Sequence, residues 1–222
     1  MFSDLNATNF SGAIPFYEKQ FEIILGKITA CYKLMKDDVP SLPNDENKIR
    51  DVLLLNYLKD NQSRKKLDLL QWHFEREIQE DHSIGRTDLK VISANTFLIQ
   101  EAYFLLECKR LDNINVTGST GLNAKYIENG ICRLVSKYYT SYHRVNGMIG
   151  FIVEKLDITN NIQNINELLI NVFKESNTTN KIVQDNFLEG FPDHFYSIHK
   201  DTDDNSLKIY HLMFDLHENI QH

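Results

Sequence analysis

Apolar side chains recur with helical spacing along the first quarter of the chain. Between residues 16 and 36 they fall three or four positions apart, which predicts one long helix with a wide buried stripe. Two prolines in the segment Val39–Pro43 interrupt this period and end the helix. A second helix is predicted from Asn44 to about Lys59, with Asn44 or Asp45 as its capping residue.

Beyond Leu70 the apolar positions alternate with polar ones, as they do in half-buried strands. The elements predicted there are strands at about residues 72–78, 85–92 and 103–109, a helix over Asn123–Tyr142, a strand at 147–153, a helix over 161–175, and strands at 195–199 and 208–214. This order is typical of a mixed β-sheet flanked by helices, which places the chain in the mixed α+β class. We expect one domain over residues 1–222, with its core at about 44–153, a helical extension before the core and a helix with strands after it.

The composition is that of a folded globular protein, since 42% of the 222 residues are hydrophobic and 25% are charged. No apolar run approaches the ~18 residues of a membrane helix, and the amino terminus lacks a basic segment followed by an apolar one. The three cysteines, Cys31, Cys108 and Cys132, form no CxxC pair. The sequence therefore predicts a cytoplasmic protein without a zinc knuckle or a membrane partner.

The charge of the chain is distributed unevenly. A net charge of −7 argues against a protein whose whole surface wraps nucleic acid. The segment 107–144, however, holds six Lys or Arg against three acidic residues, so it is selectively basic within an acidic chain. Any contact with nucleic acid is expected to be confined to this segment.

The best candidate for a catalytic motif lies at the start of the basic segment. Glu107 and Lys109 are two positions apart in a predicted strand, so their side chains project from the same face. Asp88 lies in the preceding predicted strand and converges with Glu107 if the two strands pair in a suitable register. The alternative is that these residues belong to a solvated strand face or form a surface ion pair.

Two carboxylates beside a lysine have the composition of a phosphodiester-hydrolysing site. Carboxylate oxygens suit Mg²⁺ (or Mn²⁺), which keeps several waters and takes substrate phosphate as a further ligand. Such an ion polarises the phosphoryl oxygen and lowers the pKa of a bound water, and a lysine adds a hydrogen-bond donor. Asp88 and Glu107 are therefore predicted as metal ligands, with Lys109 as the third catalytic residue.

The same residues resemble a known superfamily. The pattern Asp88…Glu107-Cys-Lys109 looks like the PD-(D/E)xK signature of the restriction-endonuclease-like nucleases, with Thr87 where the signature has proline. The core of that fold is a helix, a three-stranded meander with the acids, a helix and a further strand, and residues 44–153 supply these elements in order. The residue patterns of the helix around Tyr126 and of the segment Gly147–Phe151 are similar to those of uncharacterised bacterial members of the superfamily.

This resemblance implies a restriction-endonuclease-like fold and further site residues. Members often add a glutamate from the helix before the meander, and Glu46 is the candidate for this additional metal ligand. The alternative is that Glu46 only complements the amino terminus of its helix. In the helix after Lys109, the spacing of Tyr126, Arg133 and Lys137 predicts one face that contacts nucleic-acid phosphates. The alternative there is an amphipathic helix with a solvated basic edge.

The expected function is a divalent-metal-dependent nuclease that hydrolyses phosphodiester bonds, with DNA as the favoured substrate. The resemblance suggests a setting in restriction, repair or phage defence, and by analogy allows a homodimer that cuts both strands. The alternatives are a catalytically inactive binding or regulatory module of the same fold, and a scaffold subunit whose partner brings the substrate. His199 and His211, in the last two predicted strands, are expected to be structural rather than catalytic.

Overall fold

A seven-stranded mixed β-sheet runs through the middle of the molecule and separates two layers of helices. The computed structural model describes residues 13–76, 78–79, 86–97, 99–100, 102–138 and 145–221. The strands are β1 (His73–Glu75), β2 (Ile78–Gln79), β3 (Arg86–Thr87), β4 (Leu89–Ile92), β5 (Phe104–Leu111), β6 (Val145–Ile152), β7 (Thr178–Gln184), β8 (His194–Lys200) and β9 (Ser206–Asp215). The α-helices are α1 (Ala13–Asp38), α2 (Glu46–Leu53), α3 (Asn61–Lys66), α4 (Leu122–Tyr126), α5 (Cys132–Val135) and α6 (Ile158–Asn171).

The strand order of the large sheet is β1-β4-β5-β6-β9-β8-β7, and β2 pairs with β3 separately. Strands β1, β4 and β5 are antiparallel neighbours, whereas β5, β6 and β9 run parallel to one another. Strands β9, β8 and β7 are again antiparallel. The predicted mixed α+β class is therefore confirmed, with a meander, helices and a parallel strand following α2 in the chain. In the part of the chain that the structure describes, no helix is both long and apolar enough to span a membrane.

The two faces of the sheet bury separate apolar clusters. Helices α1 and α2 cover one face together with Phe104, Leu106 and Cys108 of β5. Segments α4, α5 and α6 cover the other face, where Leu105 and Leu111 of the same strand lie. This alternation directs Glu107 and Lys109 to the same face, as the sequence predicts, and that face is the one covered by α4 and α5.

The helix predicted over Asn123–Tyr142 is shorter than expected and is interrupted. Helix α4 passes into a π-helical turn at Ile127–Ile131, which α5 continues to Val135. Lys137 adopts a left-handed conformation with φ of 57°, and the amide of Tyr138 donates to the carbonyl of Arg133 at 3.0 Å. This is the hydrogen-bonding pattern of a Schellman cap, which ends the helix before Lys137. Residues 139–144 lie outside the described part of the chain.

The other boundaries differ from the predicted ones in smaller ways. The second helix consists of α2 and a π-helical turn at Leu54–Leu58, and its capping residue is Asp45, which accepts from the amide of Lys48 at 2.9 Å. Strand β7 was not predicted, because its side chains are mostly polar and exposed at the edge of the sheet. The terminal strands β8 and β9 are confirmed.

A buried chain of neutral polar groups connects α4 to the far strands of the sheet. The Nδ1–H of His199 donates to the carbonyl of Ser176 at 2.8 Å, because a carbonyl can only accept. The hydroxyl of Ser197 lies 2.7 Å from the Nε2 of His199 and 2.8 Å from the Nε2 of His211. The chain ends where the hydroxyl of Tyr126 meets the Nδ1 of His211 at 2.8 Å. Both histidines are structural, as expected, and each uses both ring nitrogens in its neutral form.

This arrangement predicts that the contribution of His199 to stability is lost in acid. Burial lowers the pKa of His199 from 6.5 to about 4, so the unfolded chain binds a proton there at a pH where the folded chain does not. The contribution of this histidine is therefore full above about pH 6.5 and decreases as the pH falls toward 4, by roughly 1.4 kcal/mol per pH unit. Urea denaturation at several pH values measures this slope.

The His199→Gln variant isolates the contribution of this histidine. We expect it to be less stable than the wild type at pH 7, because the buried chain is broken, and to lose less stability between pH 6.5 and 4.5. Equal slopes in the wild type and His199→Gln would contradict the assignment.

Candidate metal and phosphate site

The two predicted carboxylates are brought together by the pairing of β4 with β5. Leu89 lies opposite Leu106 in this antiparallel ladder, and the register continued by one residue sets Asp88 opposite Glu107. Residues that face each other across an antiparallel pair project from the same side of the sheet. The convergence expected from the sequence is therefore present in the structure.

Lys109 places a buried ammonium group among three carboxylates. Its Nζ lies 2.8 Å from Oε1 of Glu107, 3.3 Å from Oε1 of Glu46 and 3.4 Å from Oδ2 of Asp88. It also donates to the carbonyl of Cys108 at 2.6 Å. Burial lowers the pKa of Lys109, but the charges of Glu107, Asp88 and Glu46 outweigh burial and raise that pKa above its ordinary value. The lysine is therefore fully charged at neutral pH.

Glu46 belongs to this cluster as well as to the first turn of α2. Its Oε1 contacts Lys109, and its Oε2 accepts a hydrogen bond from the backbone amide of Arg110 at 3.0 Å. The capping of α2 is carried out by Asp45 instead. Glu46 therefore does more than complement the amino terminus of α2, because it also contacts β5. It is the third acid beside Asp88 and Glu107.

Arg50 is a site residue that the sequence analysis did not identify. Its side chain is only 2% exposed, and its Nη1 lies 2.9 Å from Oδ1 of Asp88. Its Nε and Nη2 bind Asp51 at 3.1 and 3.0 Å. The other oxygen of Asp88 accepts the backbone amide of Cys108 at 2.8 Å, so both carboxylate oxygens are held in place. The available signal was the spacing of Glu46 and Arg50, which puts them on one face of α2.

Glu107 is the least compensated acid of the cluster. Its burial and the nearby charge of Asp88 raise its pKa from 4.5 to about 7, although Lys109 and Arg133 act in the opposite direction. The Nη1 of Arg133 is 3.7 Å from Oε1 of Glu107. A carboxylate that is difficult to ionise in its surroundings is stabilised by any additional cation that reaches it.

A polar cleft of about 360 Å³ opens beside these groups. Its floor includes Lys109, and its walls come from the start of α2, from the end of β5 and from the α4–α5 segment. The lining residues are Asp45, Glu46, Asn47, Lys109, Arg110, Leu122, Lys125, Asn129 and Arg133. Of the clustered residues, Glu46 and Lys109 line the cleft, whereas Asp88 and Glu107 are not part of its lining. A ligand in the cleft therefore meets the lysine and Glu46 first.

Two of the three residues predicted to bind nucleic acid do not line this cleft. Tyr126 is fully buried, with its hydroxyl on His211, and is unavailable to a ligand. Lys137 lies beyond the end of α5 and pairs with Asp201 at 3.8 Å and with Asp203. The prediction is wrong for Tyr126, and the common face predicted for the three residues does not form, because the prediction assumed a uniform α-helix. Phosphate binding by Lys137 stays a prediction. Arg133 does line the cleft, and Lys125 and Asn129 do so in addition.

The glycine of this helical segment has a structural reason that the sequence analysis did not foresee. A Cβ atom at Gly130 would lie 2.3 Å from Cε of Met148 on β6. Glycine there lets the π-helical turn approach the sheet closely. The close packing holds the α4–α5 segment against the strands that carry the acids.

The oxygen-rich donor set is of the type that a hard divalent cation prefers. The carboxylates of Asp88, Glu107 and Glu46 and the carbonyl of Cys108 all lie within 3.4 Å of one point, the Nζ of Lys109. Among the described residues, no group of three His, Cys, Asp or Glu side chains is already arranged around a metal position. Binding of Mg²⁺ or Mn²⁺ by these donors therefore requires the ammonium group to move aside.

Comparison with known protein families, with curated proteins and with solved structures found no match for this chain.

The raised pKa of Glu107 predicts that this carboxylate costs stability at alkaline pH. The folded chain binds the proton of Glu107 more tightly than the unfolded chain does, so stability is lost as the pH rises from 4.5 through about 7. We expect Glu107→Gln to increase the free energy of unfolding by about 1–3 kcal/mol at pH 8 and to have little effect at pH 5. Urea denaturation at the two pH values measures the difference.

Glu128→Gln is the matched control, since Glu128 is exposed on the same helical segment. It removes the same charge without relieving burial and is expected to leave stability almost unchanged at both pH values. A Glu107→Gln variant that is less stable than the wild type at pH 8 would show that the ion pair with Lys109 outweighs the cost of burial.

Proposed function

We propose that the chain is a divalent-metal-dependent nuclease that hydrolyses phosphodiester bonds, with DNA as the favoured substrate. The observation that carries this proposal is the convergence of Asp88 and Glu107 on Lys109, which lines a polar cleft. The signature of the restriction-endonuclease-like nucleases combines these residue types, and α2, the meander and β6 follow in the order that this fold requires. A buried acid of raised pKa beside a cleft also supports a functional site.

Each residue of the cluster has a role in this proposal. Asp88, Glu107 and Glu46 hold Mg²⁺ or Mn²⁺, and Arg50 fixes the carboxylate of Asp88 from behind. The ion, when bound, polarises the phosphoryl oxygen and lowers the pKa of a bound water. Lys109 donates a hydrogen bond to the attacking water or to the developing phosphorane charge. Arg133 contacts a phosphate of the substrate from the wall of the cleft.

The rival function is a catalytically inactive binding or regulatory module of the same fold. It is favoured by one observation, that the ammonium of Lys109 already neutralises part of the carboxylate cluster. In that case the four groups form a structural ion-pair network, and no metal enters. The two functions make opposite predictions for metal binding.

In this proposal the protein is cytoplasmic and acts in restriction, repair or phage defence. All three cysteines are free thiols, which suits a reducing compartment. The pathway and a homodimer that cuts both strands are proposed by analogy with the superfamily alone.

Calorimetric titration with Mn²⁺ separates the two functions. We expect the wild type to bind Mn²⁺ and Asp88→Asn to bind it at least ~10-fold more weakly, because one ligand loses its charge. Asp37→Asn, at an exposed position on α1, is the matched control and keeps wild-type affinity. Absence of Mn²⁺ binding by the folded wild type, or equal binding by Asp88→Asn, would favour the inactive module.

The role of Lys109 is tested by Lys109→Ala. We expect this variant to lose cleavage of labelled DNA in Mg²⁺, since the donor beside the metal is gone. Its Mn²⁺ affinity should equal or exceed that of the wild type, because a charged lysine cannot be a metal ligand and its ammonium competes for the same oxygens. Wild-type cleavage by Lys109→Ala would exclude the proposed role.

A further inference from the structure

The cleft beside the carboxylate cluster has two walls of opposite character. One wall, formed by the α4–α5 segment, carries the cations Lys125 and Arg133. The other wall, at the start of α2, presents the acid and amide groups of Asp45, Glu46 and Asn47, and Arg110 is held beside it by Asn44. A phosphodiester backbone is attracted by the first wall and repelled by the second.

The cationic wall owes its alignment to the π-helical turn. Lys125, Asn129 and Arg133 are spaced by four residues, which exceeds the 3.6 residues of one α-helical turn. Two such steps along a regular α-helix would rotate Arg133 away from the face of Lys125. The turn at Ile127–Ile131 is wider by one residue, and all three side chains line the same cleft.

The three cations that line the cleft differ in how far they are engaged within the chain. Arg110 is held by Asn44, through the carbonyl at 2.8 Å and the side-chain oxygen at 2.6 Å. Arg133 lies near Glu107 and donates to the side chain of Asn129 at 3.3 Å. The side chain of Lys125 is exposed and forms no ion pair or hydrogen bond with the described residues. It is therefore the cation best placed to bind a phosphate of a ligand.

We propose that this cleft binds a single nucleic-acid strand, with the phosphates along Lys125 and Arg133 and a base against the wall of Asp45 and Asn47. This inference rests on the proposed nuclease function and specifies its substrate as single-stranded or frayed nucleic acid. A volume of about 360 Å³ is in the range of small-ligand sites and accommodates about one nucleotide.

Electrostatics favours one strand over two in this cleft. A duplex carries two phosphate backbones, and the second would approach the carboxylates of α2. A single strand presents one backbone to a cationic groove, which is how proteins without base-pair readout bind such strands. The exposed amino groups of an unpaired base can donate to the carboxylate and amide oxygens of the facing wall.

Fluorescence anisotropy with a labelled 12-nucleotide single strand and a hairpin duplex of the same sequence tests this inference. The measurements use the full chain in EDTA without a divalent ion, so that no cleavage occurs and the carboxylates of α2 keep their charge. We expect the single strand to bind at least ~10-fold more tightly than the duplex, with a shallow salt dependence of about −0.7 per phosphate contact. Equal or tighter binding of the duplex, or no binding of the single strand at low salt, would overturn the inference.

Charge reversal at Lys125 locates the binding surface. Lys125→Glu is expected to weaken single-strand binding ~5–30-fold and to reduce the salt slope by about one contact. Lys181→Glu, at an exposed position on the edge strand β7, changes the net charge equally and is expected to keep wild-type affinity. Equal losses in the two variants would show an effect of net charge alone and would reject the cleft.

Failure of this inference can be distinguished from failure of the nuclease proposal. Mn²⁺ titration of Lys125→Glu reports on the carboxylate cluster without nucleic acid, and its affinity is expected to match the wild type. Duplex preference together with Mn²⁺ binding that depends on Asp88 would reject the single-strand inference and retain the metal site. Loss of Mn²⁺ binding in the wild type would instead remove the nuclease proposal.

Discussion

The compensation of one buried ammonium group is the constraint on which the site depends. Lys109 is almost removed from water, and an isolated charge in that position would cost several kcal/mol. The three carboxylates that compensate it come from the start of α2, the residue before β4 and the middle of β5. These segments must therefore be placed together before the charge is tolerated. The position of α2 against the meander and the positions of the three acids therefore depend on each other.

The acids of the cluster are nevertheless not equally well compensated. Arg50 and the amide of Cys108 satisfy both oxygens of Asp88, whereas Glu107 retains a raised pKa despite Lys109. A core selected for stability alone would use apolar residues at these positions, because replacement of buried ion pairs is often neutral or stabilising. Glu107 is instead an acid whose ionised form any further cation that reached it would stabilise. The electrostatic imbalance therefore supports a functional role for this part of the sheet.

The sequence predicted the features that depend on strand alternation and failed where the helical period changes. Asp88 and Glu107 were placed correctly, because a two-residue period survives in paired strands. Tyr126 and Lys137 were placed wrongly, because a π-helical turn and a left-handed cap shift every residue that follows them. The burial of Arg50 could not be inferred from α2 alone, since its partner Asp88 is 38 residues away in the chain. Strand β7 lacks the apolar alternation of a central strand and is defined by its pairing with β8.

Tyr126 links helix α4 to strand β9. Its hydroxyl is bound by His211 on β9, which fixes the rotation of α4 about its own axis. Lys125 is the preceding residue and is therefore directed away from the core, toward the cleft. The neutral histidine chain thus holds the cationic wall without placing a second charge near Lys109 and its acids. A charged group at His211 would face the same sheet and perturb that balance, so a neutral hydrogen-bonded anchor is the arrangement compatible with a charged site.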